Sequence, residues 1–220
     1  MTETVNNTWL RRSLTITSVA LLKRFRPRSG RILFLNSKIC VKYGTTVHLR
    51  KGITYIVMER IHGIPIGRNW DSRTAESKAD LLSQLRQCFI ELQRIPHPIP
   101  GMVAAANLGK LYEYRISSEP FGPFSSPKEF HVFLRDNITI SNNTPDEVKQ
   151  LIQMQEENQY TVAMIDFEFS GFMPSYWDYV AGMNVNPYDD FWKSEISKFL
   201  DPHPKELEMK GLRRKFFGEF

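Results

Sequence analysis

The sequence predicts an α+β fold, with a small antiparallel β region first and mainly helical structure after it. Short runs of β-branched and aromatic residues are concentrated in residues 31–58, a pattern typical of strands. From residue 74 onward, apolar residues recur every three or four positions, a pattern typical of helices that bury one face. Hydrophobic residues make up 41% of the 220 and charged residues 24%, a balance that can fill one core or two small lobes.

The predicted β region consists of a hairpin and a further strand. Apolar residues at 32–35 and 39–41 flank the turn signal Asn36-Ser37, which predicts two strands around a turn. Residues 53–58 predict the next strand, and Gly63 and Pro65 then interrupt regular structure.

The clearest predicted helix covers residues 74–95. Asp71, Ser72 or Thr74 can cap its start, and Pro96 ends it. Its predicted apolar face consists of Leu81, Leu85, Cys88, Phe89, Leu92 and Ile95.

Shorter elements are predicted further along the chain. Ser126 and Pro127 have the residue types of a helix cap and a first helical position. Another helix is expected from Pro145, and a strand over residues 161–165 ends at Asp166. The aromatic-rich remainder is predicted to be helical.

The net charge of +5 comes mainly from basic residues near the two ends of the chain. Such charge favours phosphate-bearing partners (a nucleotide, a nucleic acid or a membrane surface) or forms an ordinary solvated face. Nucleic acid is not expected as a partner, since net charge alone supports it. The N-terminal basic residues are Arg11, Arg12, Lys23, Arg24, Arg26, Arg28 and Arg31, and the C-terminal ones are Lys210, Arg213, Arg214 and Lys215.

Cysteine usage and targeting signals give an expectation of cytoplasmic localisation. Cys40 and Cys88 form no metal-type or redox-type pair, which favours a reduced, intracellular protein. Residues 13–22 are the one candidate targeting segment, but the stretch is too short to span a bilayer and lacks a clear cleavage site. We expect an N-terminal helix or strand there, and no membrane span.

Three features suggest a nucleotide site. Lys42 ends a predicted strand, where a lysine can pair with phosphates. Met58 and Glu59 end another apolar strand, as at an adenine-binding hinge, where Met58 would line the pocket. Asp166 follows a third strand, where a carboxylate can hold Mg²⁺, and Gly171 is expected to let the chain turn sharply. Each feature also has an ordinary structural interpretation.

Together with longer motifs, these features resemble the fungal branch of the aminoglycoside-phosphotransferase and choline-kinase superfamily. The motifs are residues 56–63 (IVMERIHG), 84–86 (QLR), 121–124 (FGPF) and 165–179 (IDFEFSGFMPSYWDY). The tail from residue 190 is similar as well, so the resemblance covers most of the chain from about residue 24.

The resemblance implies a two-lobed, protein-kinase-like fold, with an incomplete β-rich N-terminal lobe over residues 1–58 and a helical C-terminal lobe over residues 59–220. It implies ATP as cofactor, bound by Lys42 and by a hinge at Met58 and Glu59, with Glu59 contributing mainly its backbone. It also implies Mg²⁺ at Asp166. Tyr176, Trp177 and Asp178 are expected to pack within the helical lobe.

Two segments of the family are missing. No acidic residue lies between Lys42 and Glu59, so the helical glutamate that pairs with the family's lysine has no counterpart. No His-Gly-Asp occurs anywhere in the chain, so the catalytic base and the asparagine that follows it are absent. Arg135-Asp136-Asn137 is not expected to replace them, and the spacing of Glu156 and Glu157 does not specify a base.

Four interpretations stay open. The chain is a phosphotransferase homologue with impaired transfer of the ATP γ-phosphate to a small-molecule hydroxyl, or it is a non-catalytic nucleotide-binding or interaction protein. It can also be a truncated gene product, because both losses are clean blocks, or a basic nucleic-acid binder. The sequence does not identify the acceptor substrate or the oligomeric state.

Overall fold

The fold was analysed in a computed structural model, which describes residues 8–44, 54–113, 115–157, 160–165, 171–183 and 190–218. Within these residues the chain has the expected α+β composition, with small antiparallel sheets and several helices. It divides into two compact units, Met1–Arg68 and Asn69–Phe220. The boundary predicted from the sequence follows residue 58, and strand and loop residues 59–68 belong to the first unit.

The first unit combines one helix with a four-stranded antiparallel sheet. Helix α1 covers Trp9–Leu22, so the helical alternative for residues 13–22 is confirmed. The sheet has the order β1-β2-β3-β4. Its strands are β1 (Arg28–Ser29), β2 (Ile32–Phe34), β3 (Ile39–Gly44) and β4 (Thr54–Glu59).

The predicted turn between β2 and β3 is confirmed, and Asn36 explains it. The side-chain oxygen of Asn36 accepts hydrogen bonds from the backbone N–H groups of Lys38 and Ile39, at 2.7 and 2.8 Å. An asparagine side chain that bonds its own backbone two or three residues ahead stabilises a tight turn. The register that follows pairs Leu33 with Val41.

The core of the first unit lies between α1 and one face of the sheet. Val19 from the helix packs on Leu33 and Val41, which are fully buried, while Tyr43 and Tyr55 border this cluster. Side chains alternate between the two faces of a strand, so Lys42, between Val41 and Tyr43, lies on the opposite face.

The second unit is mainly helical and has a small sheet of its own. In the order β5-β7-β6, the antiparallel strands are β5 (Ala104–Ala105), β7 (Gly171–Pro174) and β6 (Val162–Ile165). The helices are α2 (Ala75–Gln93), α3 (Pro127–Leu134), α4 (Asp146–Glu157), α5 (Trp177–Gly182), α6 (Asp190–Phe199) and α7 (Pro204–Phe217).

Local signals in the sequence predicted the starts of α2, α3 and α4. The Thr74 hydroxyl accepts from the backbone N–H of Ser77 at 3.2 Å and caps α2. The Ser126 hydroxyl accepts from Glu129 N–H at 3.2 Å, and Pro127 is the first residue of α3. The predicted helix after Pro145 and the strand before Asp166 are also confirmed.

The predicted apolar face of α2 is partly wrong. Cys88 is exposed and Ile95, beyond the helix end, is 43% exposed, whereas Leu82 is buried. The helix packs on α6 and β6, so the buried side is determined by where those later segments lie. Phe89 of the predicted face does reach α6, stacking on Phe199 with ring centroids 5.7 Å apart.

Candidate functional site

The sheet of the first unit brings two of the predicted nucleotide-site residues to one face. Lys42 pairs with Ile56, and Cys40 pairs with Met58, in the register of β3 and β4. Paired residues of an antiparallel sheet, and residues two apart on a strand, point to the same side. Lys42 and Met58 are therefore diagonal neighbours, both partly buried, on the face away from the α1 core.

The same face is bounded at one end by an arginine. The guanidinium carbon of Arg60 lies 4.4 Å from the centre of the Phe34 ring, and an Arg60 nitrogen donates to the carbonyl oxygen of Asn36 at 3.3 Å. Phe34 pairs with Cys40, and Cys40 pairs with Met58, so Phe34 is a diagonal neighbour of Lys42 on the adjacent strand and is separated from Met58 by Cys40. The face thus combines two cations with apolar side chains, which suits an anionic ligand with an apolar ring.

Glu59 lies differently from Met58. It pairs with Ile39, so its side chain belongs to the face of Val41 rather than to that of Lys42. Its carbonyl oxygen faces the Cys40 thiol at 3.6 Å, and the next backbone N–H, of Arg60, donates to Lys38 at 2.8 Å. The backbone around Glu59 therefore continues the ladder with β3 and keeps limited hydrogen-bonding capacity for a ligand.

Asp166 lies outside the described residues, as does Glu168. The described residues around them form an antiparallel pair of strands: Ile165, at the end of β6, pairs with Gly171, at the start of β7. Asp166 thus directly follows an apolar strand in the sequence, as predicted.

Gly171 has a different role from the predicted turn. It lies in β7, where an added Cβ would be 2.7 Å from Leu111 Cδ2 and 2.9 Å from the Ala104 carbonyl oxygen. These distances are shorter than real Cβ contacts, so glycine allows β5 to approach β7. Its φ is not in the left-handed region, in contrast to Gly122 at +70°.

The chain between α4 and β6 is short. Helix α4 ends at Glu157 and β6 begins at Val162, so residues 158–161 make the whole connection. Tyr160 within it packs edge-on against Tyr176 and His131, with ring centroids 4.7 and 5.0 Å apart. The chain therefore passes from the helix into the strand within four residues, of which Tyr160 packs in the aromatic core.

Two polar side chains at the end of α4 are hydrogen-bonded to a buried arginine. Arg135, 3% exposed, donates to the side chains of Gln155 at 2.9 Å and Glu156 at 3.1 Å, which ties α3 to the end of α4. Asp136 and Asn137 follow with positive φ, 52° and 61°, as the chain turns after α3.

Behind the connection lies a buried hydrogen-bonded pair, His131 and Tyr176. The ring Nδ1 of His131 is 3.2 Å from the Gln155 carbonyl oxygen, which can only accept, so Nδ1 carries the proton. Nε2 then accepts from the Tyr176 hydroxyl at 2.7 Å. Tyr176 is 1% exposed and Trp177 is 7% exposed, in agreement with the predicted packing role.

Burial determines the protonation of this pair. It lowers the pKa of His131 to about 4; the bond to Gln155 opposes the shift, and the charge of Arg135 adds to it. Burial also raises the pKa of the Tyr176 hydroxyl well above its usual value. Both groups are therefore neutral near pH 7, and the pair is a structural element without an opening for a substrate.

The second unit also has a polar cavity of about 280 Å³, which the sequence did not predict. It lies at the open end of the β6–β7 pair, where Ser175 N–H donates to the Thr161 carbonyl at 2.9 Å. One of its carboxylates, Asp201, bonds Arg86 at 2.8 Å. The lining comprises Gln93, Thr161, Ser175, Asp178, Tyr179, Leu200, Asp201 and His203.

No cluster of three or more His, Cys, Asp or Glu side chains among the described residues could hold a metal ion. In the same part of the chain, no helix has both the length and the apolarity needed to cross a membrane.

Comparison of the chain with protein-family models, curated proteins and solved structures returned no match.

Proposed function

We propose that the chain is an aminoglycoside-phosphotransferase-like homologue with a two-lobed, kinase-like fold. It binds ATP against the Lys42 face of its first sheet and transfers phosphate poorly or not at all. Mg²⁺ at Asp166 belongs to this proposal, as does a small-molecule hydroxyl as the family's phosphate acceptor. The motifs quoted above supply the family assignment.

One observation supports the proposal that the chain binds ATP. Lys42 and Met58 are diagonal neighbours on one face of β3 and β4, while α1 covers the other face. A nucleotide on this face would have a cation for its phosphates and an apolar thioether for its base. Had Met58 and Lys42 lain on opposite faces, they could not have contacted one ligand.

The short connection between α4 and β6 supports the proposal that phosphate transfer is impaired. Four residues leave no room for a loop that carries a base and, some residues later, a metal-binding asparagine. A general base alone accounts for ~10²–10⁴-fold in rate, and loss of a metal ligand would add to that.

Nucleotide binding is tested by thermal unfolding with and without Mg²⁺-ATP. A ligand that binds only the folded protein, at about one hundred times its dissociation constant, stabilises it by about 2.7 kcal/mol. Lys42→Ala is expected to abolish most of the ATP-induced shift in Tm. Lys38→Ala, a lysine at the exposed turn of the same hairpin, is the matched control and should retain it. An unchanged Tm for the unaltered chain would rule out ATP binding.

Transfer is tested separately, with γ-labelled ATP, Mg²⁺ and a panel of alcohols and aminoglycosides. The unaltered chain is expected to turn over no faster than the double variant Lys42→Ala, Asp166→Ala. Turnover that clearly exceeds this background and depends on Lys42 would contradict the claim of impairment while supporting the binding half.

A further inference from the structure

Helix α1 has an apolar side that its own sheet does not use. Leu10, Leu14 and Leu21 are 61%, 59% and 65% exposed, and their spacings of four and seven residues place them in one stripe along the helix. Val19 is buried on another side, against Leu33 and Val41. The helix is therefore apolar on two sides, of which only one is explained by the core of the first unit.

Two large aromatic side chains are exposed at the two ends of the helix. Trp9, the first residue of α1, is 79% exposed, and Phe25, just past its end, is 83% exposed. The backbone N–H of Phe25 donates to the Leu22 carbonyl at 3.0 Å, so Phe25 is attached directly to the last turn. With Ile16, which is 38% exposed, six large apolar side chains are exposed within residues 9–25, more than the scattered exposure that is usual on a protein surface.

The charge around the stripe is of one sign. No acidic residue occurs from residue 4 to residue 58. Arg11 and Arg12 lie in the first turn of α1, where the helix dipole disfavours cations, so the helix itself gains nothing from them. The exposed basic residues on the helix and just after it are Arg11, Arg12, Lys23, Arg24, Arg26, Arg28 and Arg31.

The geometry points to α1 as an interfacial helix that binds an anionic lipid surface. The leucine stripe would enter the boundary between headgroups and acyl chains, Trp9 and Phe25 would lie at headgroup depth, and the basic residues would face lipid phosphates. Charge complementarity with nucleic acid would leave the three leucines without a partner. An acidic groove in a protein would not require so many cations at both ends of the helix.

The test uses the full chain and vesicles of phosphatidylcholine with about 30% phosphatidylserine, compared with pure phosphatidylcholine. Sedimentation is expected to show binding to the anionic vesicles only, weakened by high salt because the attraction is screened. The fluorescence of Trp9 should shift to the blue on binding, and Trp9→Phe should remove that shift.

Two double variants separate the apolar and charged contributions. Leu14→Gln with Leu21→Gln is expected to weaken binding at least tenfold. Arg11→Gln with Arg12→Gln should weaken it about thirtyfold, since each basic residue near an anionic surface contributes on the order of 1 kcal/mol. The matched control, Ile138→Gln with Ile140→Gln, removes two exposed isoleucines from the second unit and should bind as the unaltered chain does.

Several outcomes would overturn the inference. One is failure to bind anionic vesicles, and another is binding that the leucine variant does not weaken, as a merely basic surface would give. A third is a clear loss of thermal stability in the leucine variant without vesicles, because the stripe would then be covered by the chain itself. Tighter binding to duplex DNA than to vesicles, unaffected by the leucine variant, would assign the surface to nucleic acid instead.

Discussion

The two units of the chain bury very different amounts of apolar side chain. Among the described residues, the first unit buries four hydrophobic side chains and the second unit buries 26. Buried apolar area is the main favourable contribution to folding. We therefore expect the first unit to unfold more easily than the second. Its exposed apolar side chains contribute little to its stability and are available to contact a partner.

The two units also differ in net charge. Residues 1–68 contain 13 basic and 2 acidic residues, a net charge of +11, while residues 69–220 contain 16 basic and 22 acidic residues, a net charge of −6. The buried polar and charged side chains among the described residues all belong to the second unit. The overall net charge of +5 is therefore the sum of a strongly basic first unit and a weakly acidic second unit.

The largest expected effect is on the second core. Phe130 is fully buried and contacts Phe124 and Trp177, with ring centroids 5.4 and 5.5 Å away. Phe130→Ala should lower the free energy of unfolding of this unit by about 3–5 kcal/mol. Denaturant titration followed by tryptophan fluorescence measures it, and Phe216→Ala, at a 36% exposed site, is the control with a much smaller loss.

In the same experiment, the rate at which a thiol reagent modifies the buried Cys40 measures how often the first unit opens. The exposed Cys88 of the second unit reacts at once and does not interfere. If the contrast between the units holds, Phe130→Ala leaves the rate of Cys40 modification unchanged. A large increase in that rate would show that the units unfold together.

The next effect is a pH dependence of the second unit. Unfolded His131 takes up a proton near its ordinary pKa of 6.5, whereas the folded residue does so only near pH 4. The contribution of neutral His131 to stability is complete above pH 6.5 and is lost as the pH falls toward 4, at up to ~1.4 kcal/mol per pH unit. His131→Phe should reduce this slope, whatever its effect on stability at pH 7.

The check is the free energy of unfolding measured at several pH values between 4 and 7. His62→Gln, at an exposed histidine outside the second unit, is the control for removing a histidine. An identical slope in His131→Phe would show that other groups cause the acid sensitivity.

Gly171→Ala should have an intermediate effect. Its Cβ would lie 2.7 Å from Leu111 and 2.9 Å from the Ala104 carbonyl, so β5 and β7 must separate, at a cost of about 1–3 kcal/mol. Gly211→Ala in α7 meets nothing within 4 Å and should stabilise the helix by roughly 0.5–1 kcal/mol. Thermal unfolding of both variants measures the difference, and equal Tm values would contradict the close approach at Gly171.

The smallest effect is expected in the first unit. Asn36→Ala removes the acceptor of two backbone N–H groups at an exposed turn, at a cost of about 1 kcal/mol. Cys40 pairs with Phe34 across this hairpin, so its modification should become about fivefold faster. Ser37→Ala at the same turn is the control, and an unchanged rate in Asn36→Ala would show that Cys40 is exposed by another motion.

Features that depend on a few neighbouring residues could be predicted from the sequence. The turn at Asn36, the caps at Thr74 and Ser126 and the strand that ends at Ile165 all follow from local hydrogen bonds and backbone preferences. The alternation of side chains between the two faces of β3 and β4, the strands that bear Lys42 and Met58, is also a local feature. Their shared face required the register between β3 and β4, which is a contact between separate segments.

Packing between distant segments decided the rest. Leu82 is buried and Cys88 exposed because of where α6 and β6 lie, and Gly171 is required by β5, more than 60 residues earlier. His131 finds Tyr176 45 residues away. By itself the sequence determined the longer elements, their order and the absence of a His-Gly-Asp motif. Only the tertiary structure decided which faces are buried, because burial depends on partners that no local pattern specifies.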